Sequence, residues 1–398
     1  MIAMAISRKS NYITHSTLGS SRTKEPAQPV KIGLLSSGLG KINRGFEVTT
    51  SRWYESIKGD QDVSVKVYAG GAYPGAVRGW NLERDFLLNS PLKVFGKANE
   101  RAFWEFCFIV EQVTFSMCLP DLLFWRPDVV WTKEIPLAHF LLAYKYMFGL
   151  RYKIIFANGG AFRPETYKLF DYIQHLHPDS FSEAEAIGIP ASKMQVLPNC
   201  VWYEKPSHSR QELRAKYCFA QNDWIVICVA AWNSFQKRLD YLIEEVARID
   251  DPNVKLLLCG QPELETAALK ELAELKLGDR VRWMTLLPHE VYDVLAMSDV
   301  FTLPSFREGL ASSIIEAAMA GLPIVSHPHS GGRFILQDDI WLNDMSPVGA
   351  LTARLQEIKA NGVPASKLAD LQRSAELRFS RGALAHQFID MVKRVHQI

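Results

Sequence analysis

Two glutamates eight positions apart carry the most specific chemistry in this chain. Glu308 and Glu316 lie in PSFREGLASSIIEAAMAGLPIVSH, residues 304–327. The run reads as a strand ending at Pro304–Ser305, a loop with Glu308 and Gly309, and a helix beginning near Ser312–Ser313. Gly321–Pro323 then ends the helix before the next strand. A helix start offers free N–H groups and the positive end of its dipole, which suits a diphosphate. A carboxylate only accepts hydrogen bonds and takes two hydroxyls at once. A plainer reading stands beside this one. Ser313 and Glu316 have capping-box spacing, so Glu316 could simply tie back to the helix start.

Three further segments hold candidate groups. In VICVAAWNSFQKRLDYLI, residues 226–243, a strand leads into a polar loop and a helix opening with Lys237 and Arg238. An ammonium there could neutralise a departing diphosphate, or be a solvated helix start. In KIGLLSSGLGKINRGFE, residues 31–47, Gly38, Gly40 and Gly45 follow a strand. Such glycines let backbone approach a ligand or make a plain turn; their spacing is not the dinucleotide fingerprint. In KIIFANGGAFR, residues 153–163, Asn158 ends a strand. Its amide can hydrogen-bond a hydroxyl but cannot act as a general base. His139, His175 and His177 are bases by type only and are expected to be structural.

The elements that position these groups alternate. Strands are expected at 31–36, 63–68, 128–131, 153–157 and 194–197, then at 225–230, 254–259, 280–284, 299–303 and 323–326. Most are continuous apolar runs, as in parallel strands covered on both faces. The helices between them are amphipathic. In 237–249, Leu239, Leu242, Ile243, Val246 and Ile249 share one face. The pattern predicts an α/β chain of two facing Rossmann-like domains with parallel sheets. The expected division is a flexible tail over 1–29, a first domain over 30–205, a second over 206–380, and a C-terminal helix over 381–398 that returns to the first. A ligand belongs at the carboxyl ends of the strands, between the domains.

Composition narrows the class. The chain has 398 residues, 48% hydrophobic and 22% charged, which excludes disordered, collagenous and disulfide-dense types. Net charge is +2, which argues against a dedicated nucleic-acid binder. Residues 1–205 carry +5 and residues 206–398 carry −3. The six cysteines form no C-x-x-C pair and are expected as buried thiols. The apolar region 102–125 is interrupted by Glu105, Glu111, Gln112, Pro120 and Asp121, so a buried or interfacial helix is expected rather than a membrane span.

On these motifs the chain resembles the GT-B retaining glycosyltransferases of family 4, the group similar to glycogen and sucrose synthases. The resemblance implies roles residue by residue. Glu308 would lie against the donor sugar, the backbone of Gly309, Leu310, Ala311 and Ser312 would face the donor diphosphate, and Glu316 would take the ribose hydroxyls. Lys237 would neutralise the leaving diphosphate. The family has an Arg five or six residues before that Lys, where this chain has Ala231 and Trp232; Arg238 is the candidate substitute. Gly45 would lie under the reacting sugar, with Arg44 and Glu47 near the acceptor. Asn158 stands where the family commonly has a His. QVLPNCV at 195–201 matches a linker motif with Cys200 in place of Gly. TLLPH at 285–289 places Leu287 beside the base, and His329–Gly332 would close on the phosphates.

The implied function is transfer of a sugar from a UDP-, GDP- or ADP-sugar to an acceptor hydroxyl, with retention and without a metal or other cofactor. Glycan, glycolipid or cell-surface polysaccharide synthesis is the implied setting. Expected partners are the nucleotide sugar and a glycan, lipid-linked or small-molecule acceptor, with no nucleic acid. A cytoplasmic location is expected, with at most weak association at the membrane face. A non-catalytic nucleotide-sugar or glycan binder and a sugar-nucleotide epimerase are the alternatives.

Overall fold

The computed structural model describes residues 28–398 apart from 93, 95–98, 118 and 161. Most of the expected tail and Cys118 therefore lie outside the described residues. The first sheet holds β1 (Val30–Ser36), β2 (Val63–Ala69), β3 (Ala76–Arg78), β4 (Val129–Thr132), β5 (Lys153–Asn158), β6 (Tyr172–His175) and β7 (Met194–Val196). The second holds β8 (Trp224–Val229), β9 (Val254–Cys259), β10 (Val281–Met284), β11 (Val300–Leu303) and β12 (Ile324–Ser326). Every strand pair is parallel. The molecule has two Rossmann-like domains in the GT-B arrangement.

All ten expected strands are present, and the sequence reading lacked two. β3 is a three-residue edge strand. β6 reads as polar because of Gln174 and His175, yet all four of its residues are buried. Gln174 is internally satisfied: it accepts from Trp131 Nε1 at 2.8 Å and donates to the Leu197 carbonyl at 2.8 Å. Its burial therefore leaves neither end of the amide without a partner.

The strand orders are β3-β2-β1-β4-β5-β6-β7 and β10-β9-β8-β11-β12. In each sheet the chain runs outward from its first strand and then returns to that strand's other side. The order thus reverses between β1 and β4, and between β8 and β11. At such a reversal the two following loops diverge and leave a crevice at the carboxyl end of the sheet. The Gly-rich loop follows β1, the Lys237 loop follows β8, and the Glu308 loop follows β11.

The C-terminal helix Arg381–Gln397 packs on β1, β4, β5 and the helix Gly45–Ile57 of the first domain. Leu384, Phe388, Met391, Val392 and Val395 are buried there, and the Phe388 ring stacks on Trp53 with centroids 4.2 Å apart. Fully burying such a side chain contributes about 1.5–3 kcal/mol.

Region 102–125 forms two helices, Glu100–Met117 and Asp121–Trp125. The longer one buries Cys107, Glu111 and Phe115 but exposes Phe106, Ile109 and Met117. Among the described residues, no helix is long and apolar enough to cross a membrane. Cys107, Cys200, Cys228 and Cys259 are buried free thiols, whereas Cys218 is exposed, with φ 60° in the turn after the helix Arg210–Lys216. The expectation of buried cysteines fails at that turn, where the left-handed backbone lies at the surface.

Candidate functional site

Lys237 and Glu308 meet because β8 and β11 are neighbours, in register at Val300 with Val226. Their loops leave the same end of the sheet, and Lys237 Nζ lies 2.5 Å from Glu308 Oε1. Asn233 shapes the first loop: its Oδ1 accepts from the N–H groups of Gln236 at 3.0 Å and Lys237 at 2.9 Å. The helix beyond begins at Leu239, two residues later than expected. Arg238 has φ 52°, a left-handed conformation that cannot continue the helix backwards. Lys237 is therefore a loop residue, and its side chain is mostly buried.

The helix after Glu308 runs Ser312–Met319, capped by Ala311 with no side-chain hydrogen bond. The capping box from Ser313 to Glu316 does not form. Glu316 instead reaches the other domain, where Arg52 Nη2 lies 2.5 Å from its Oε1. Gly309 meets the first domain too: a Cβ on it would stand 2.6 Å from the Gly159 carbonyl oxygen. A Cβ on Gly331 would in turn strike the Gly309 carbonyl. These glycines allow backbone from three loops to touch beside Glu308.

The other sequence candidates are placed unequally. Arg238 donates from its guanidinium to the carbonyls of Pro304 and Met345, both at 3.1 Å, and stacks on Phe306 at 3.6 Å. Two of its five N–H donors are thus taken by backbone carbonyls. Trp232 itself is buried edge-on against Trp283, centroids 5.0 Å apart. Gly45 is the first residue of the helix Gly45–Ile57, and a Cβ there would meet nothing within 4 Å. The close approaches are at Gly38, whose Cβ would strike Glu47 Oε1, and at Gly40, φ 81°, which faces the Gly71–Ala72 backbone.

Arg44 Nη2 and Glu47 Oε1 pair at 3.1 Å. Asn158 is buried, donating to Tyr167 Oη at 3.3 Å, and its Oδ1 has no partner among the described residues. Leu287 is half-exposed at the rim of a cleft of about 480 Å³. Glu47, Arg52, Tyr73, Trp202 and Tyr292 also line that cleft, so both domains form its walls.

Sequence reasoning missed two groups. Arg52 is buried on the inner face of its helix, one residue from Trp53, and its guanidinium lies over Trp202 at 5.4 Å. Burial opposes its charge, but Glu316 and Tyr292 outweigh that and hold it above the usual range. A cation among buried positions of an amphipathic helix was the available signal. The second group is Lys133–Glu134, a charged pair directly after the apolar run of β4. Both are buried. Glu134 Oε1 accepts from Ser36 Oγ and Ser37 N, each at 2.9 Å, and its Oε2 has no partner among the described residues. Burial, helped by the Glu47 charge, pushes the Glu134 carboxyl up to about 7. Lys133 Nζ donates to Asn199 Oδ1 at 2.9 Å, and burial brings it down to about 7.

The histidines hold structure. His139 Nε2 lies 2.8 Å from the Thr166 carbonyl. His177 and His329 accept from N–H groups at the starts of the helices Pro178–Ala186 and Ser330–Leu336. Burial takes His175 and His329 each down to about 4. Among the described residues, no three His, Cys, Asp or Glu side chains are grouped to hold a metal ion.

Residues 209–377 match the family model of glycosyl transferases group 1. The alpha-galactosylglucosyldiacylglycerol synthase of Streptococcus pneumoniae is 24% identical over 187 residues, 44% of this chain and 49% of that protein. The amylovoran biosynthesis glycosyltransferase AmsK of Erwinia amylovora is 27% identical over 150 residues, 35% of this chain and 36% of that protein. The matched stretch spans less than half the length of these curated relatives. The fold likeness runs further. Sucrose-phosphate synthase from Thermosynechococcus elongatus superposes with a TM-score of 0.73 at 16% identity, over 92% of this chain and 99% of that one. Anabaena HepE, solved with UDP and glucose, gives 0.69 at 14% identity over the same shares. Residues 209–377, less than half of the chain, are thus similar to the glycosyl transferases group 1, and the chain as a whole has the two-domain GT-B fold.

Proposed function

We propose that this protein is a retaining glycosyltransferase, of the family 4 type, that moves a sugar from a nucleoside-diphosphate sugar to an acceptor hydroxyl in glycan or glycolipid synthesis. One observation carries the reading: the Lys237–Glu308 pair stands at the sheet reversal, immediately before the uncapped start of the helix Ser312–Met319. That arrangement supports the reading, because an ammonium beside free N–H groups suits a diphosphate and a neighbouring carboxylate suits the hydroxyls of its sugar. Lys237 and the helix start stabilise the leaving diphosphate in place of a metal. The departing phosphate takes the acceptor's proton, which fits the absence of a base at Asn158. Glu316 takes ribose hydroxyls. The second domain holds the donor and the first domain the acceptor, with closure expelling water.

A UDP-sugar stands first among donors, since HepE of the same fold is solved with UDP-glucose. A thermal-shift panel of UDP-, GDP- and ADP-sugars tests the donor site, and NMR of the product anomer tests retention. A panel with no stabilising nucleotide sugar would sink the reading. Binding without turnover would favour the second reading, a nucleotide-sugar binder. That reading is motivated by Asn158, which cannot take a proton, and by Ala231–Trp232, which offer no cation.

A further inference from the structure

Large apolar side chains stand out of the first domain at the end opposite the cleft. The cleft lies at the carboxyl ends of the strands, whereas two helices end beside the amino ends. The helix Asp121–Trp125 leads into β4, and the helix Ile135–Met147 leads into β5. β4 and β5 are neighbours, in register at Val129 with Lys153, and the Lys153 N–H donates to the Asp128 carbonyl at 2.9 Å. The two connecting turns therefore run side by side. Phe124 is 85% exposed there, Tyr146 77% and Met147 73%. The longer helix buries Leu137, Ala138, Leu141 and Tyr144 along its inner face, so Tyr146 and Met147 project away from the core.

The same turns carry cations. Arg126, φ 49°, ends the first helix, and Arg151 stands two residues before β5. Both are exposed, and neither has a carboxylate within ion-pair distance among the described residues. Lys31, whose Nζ donates to the Trp125 carbonyl at 3.4 Å, adds a third charge beside them. Residues 1–27, which join β1 at this end, carry four cations and one acid, so they add the same sign. A cluster of exposed large apolar side chains marks a surface that meets an apolar partner. A second copy of this chain would set the patch on itself and bring like charges together. The cationic segment 1–27 suits it no better. A bilayer with anionic headgroups suits both features: apolar tips enter the boundary between headgroups and acyl chains, and guanidinium groups stay among the phosphates. Among the described residues no helix can cross a membrane, so such contact is peripheral.

We propose that this end of the first domain docks on an anionic membrane surface, with Phe124, Tyr146 and Met147 inserted and Arg126 and Arg151 against headgroup phosphates. Docking there leaves the cleft, at the other end of the strands, open to a nucleotide sugar from solution. The proposal goes beyond the reading of the donor site and does not depend on it.

The test is flotation of the full chain with phosphatidylcholine vesicles, with and without phosphatidylglycerol. Binding is expected on the anionic vesicles, at least about tenfold weaker on the neutral ones, and falling as salt is raised. Phe124→Ser and Met147→Ser should each weaken it at least about tenfold. Both should unfold at the wild-type midpoint, because neither side chain belongs to the core. Arg126→Gln should weaken binding about fivefold. Leu275→Ser, at a residue 79% exposed on the second domain, should leave it unchanged. No binding to either vesicle, equal binding to both, or full binding in Phe124→Ser and Met147→Ser would each overturn the proposal. So would a dimer, seen by light scattering, that Phe124→Ser splits, since a second copy would then cover the face. Should the serine variants not fold, full binding in the Arg126→Gln, Arg151→Gln double variant overturns it instead. UDP-sugar affinity, measured separately, reports on the donor reading alone.

Discussion

Arg52 and Glu316 join the two domains through a buried ion pair of 2.5 Å between residues 264 positions apart in the chain. The pair lies beside the cleft, with Trp202 under the guanidinium and Tyr292 hydrogen-bonded to it. Glu316 was expected to meet ribose hydroxyls or its own helix start; in the structure it holds a cation of the opposite domain. A carboxylate has a second oxygen, so a ribose can share it with Arg52, and the ion pair then fixes the carboxylate's orientation.

Breaking this pair from one side should be costly. Arg52→Met leaves a buried carboxylate without a cation and should lower stability by about 3–5 kcal/mol. Arg52→Met combined with Glu316→Met should recover much of that loss, because no lone charge remains. Urea unfolding of the two singles and the double measures the coupling; additive losses would show that the pair contributes nothing of its own. Glu316→Ala should also weaken UDP-sugar binding by about 1–3 kcal/mol, and unchanged affinity in calorimetry would remove Glu316 from the ribose.

Lys237 faces Glu308, its one ion-pair partner among the described residues. Lys237→Ala should lower kcat by about 10²–10³-fold, the scale for losing one donor to developing charge. Acceptor KM should change little. A variant that turns over at the wild-type rate would take Lys237 out of the mechanism.

The elements were legible where their signal is local. Strands buried on both faces read as apolar runs, and the loop–helix–Gly–Pro pattern around Glu308 gave the helix within a residue. β6 was hidden because its polar residues are satisfied by Trp131 and Leu197, partners set by the sheet and not by neighbouring sequence. Lys237 and Glu308 were found separately, but their contact follows from β8 lying beside β11. Arg52 and the Lys133–Glu134 pair were missed for a related reason. A buried charge looks like a surface charge until the fold shows what surrounds it, and Arg52 acquires its partner only when the two domains face each other.

Buried histidines set one limb of the pH profile. His175 titrates at about 4 when folded and near 6.5 when unfolded. Between those values the unfolded chain binds a proton that the folded chain refuses, so stability is lost as pH falls from 6.5 to 4. Glu134, raised to about 7 by burial, acts in the opposite sense: the folded chain keeps its proton between about 4.5 and 7, so stability falls as pH rises there. The two overlap, so variants separate them. His175→Gln should reduce the stability lost between pH 6.5 and 5, and Glu134→Gln should steepen the net loss. Denaturation midpoints at pH 5 and 7 decide it; a His175→Gln profile parallel to wild type would contradict the burial argument.

The C-terminal helix offers the last test, because its core contacts belong to the first domain although its sequence follows the second. Phe388 stacks on Trp53 at 4.2 Å and meets Trp131 edge-on at 6.1 Å. Phe388→Ala removes the ring from a filled core and should cost about 3–5 kcal/mol. Trp53 lies one position from Arg52 on the same helix, so the loss should reach the domain interface: Arg52 would be held less firmly against Glu316. The expected result is a lower unfolding midpoint together with weaker UDP-sugar binding, at a site formed mainly by the other domain. Full nucleotide affinity in a destabilised Phe388→Ala protein would mean that the helix anchors the first domain without transmitting order to Glu316.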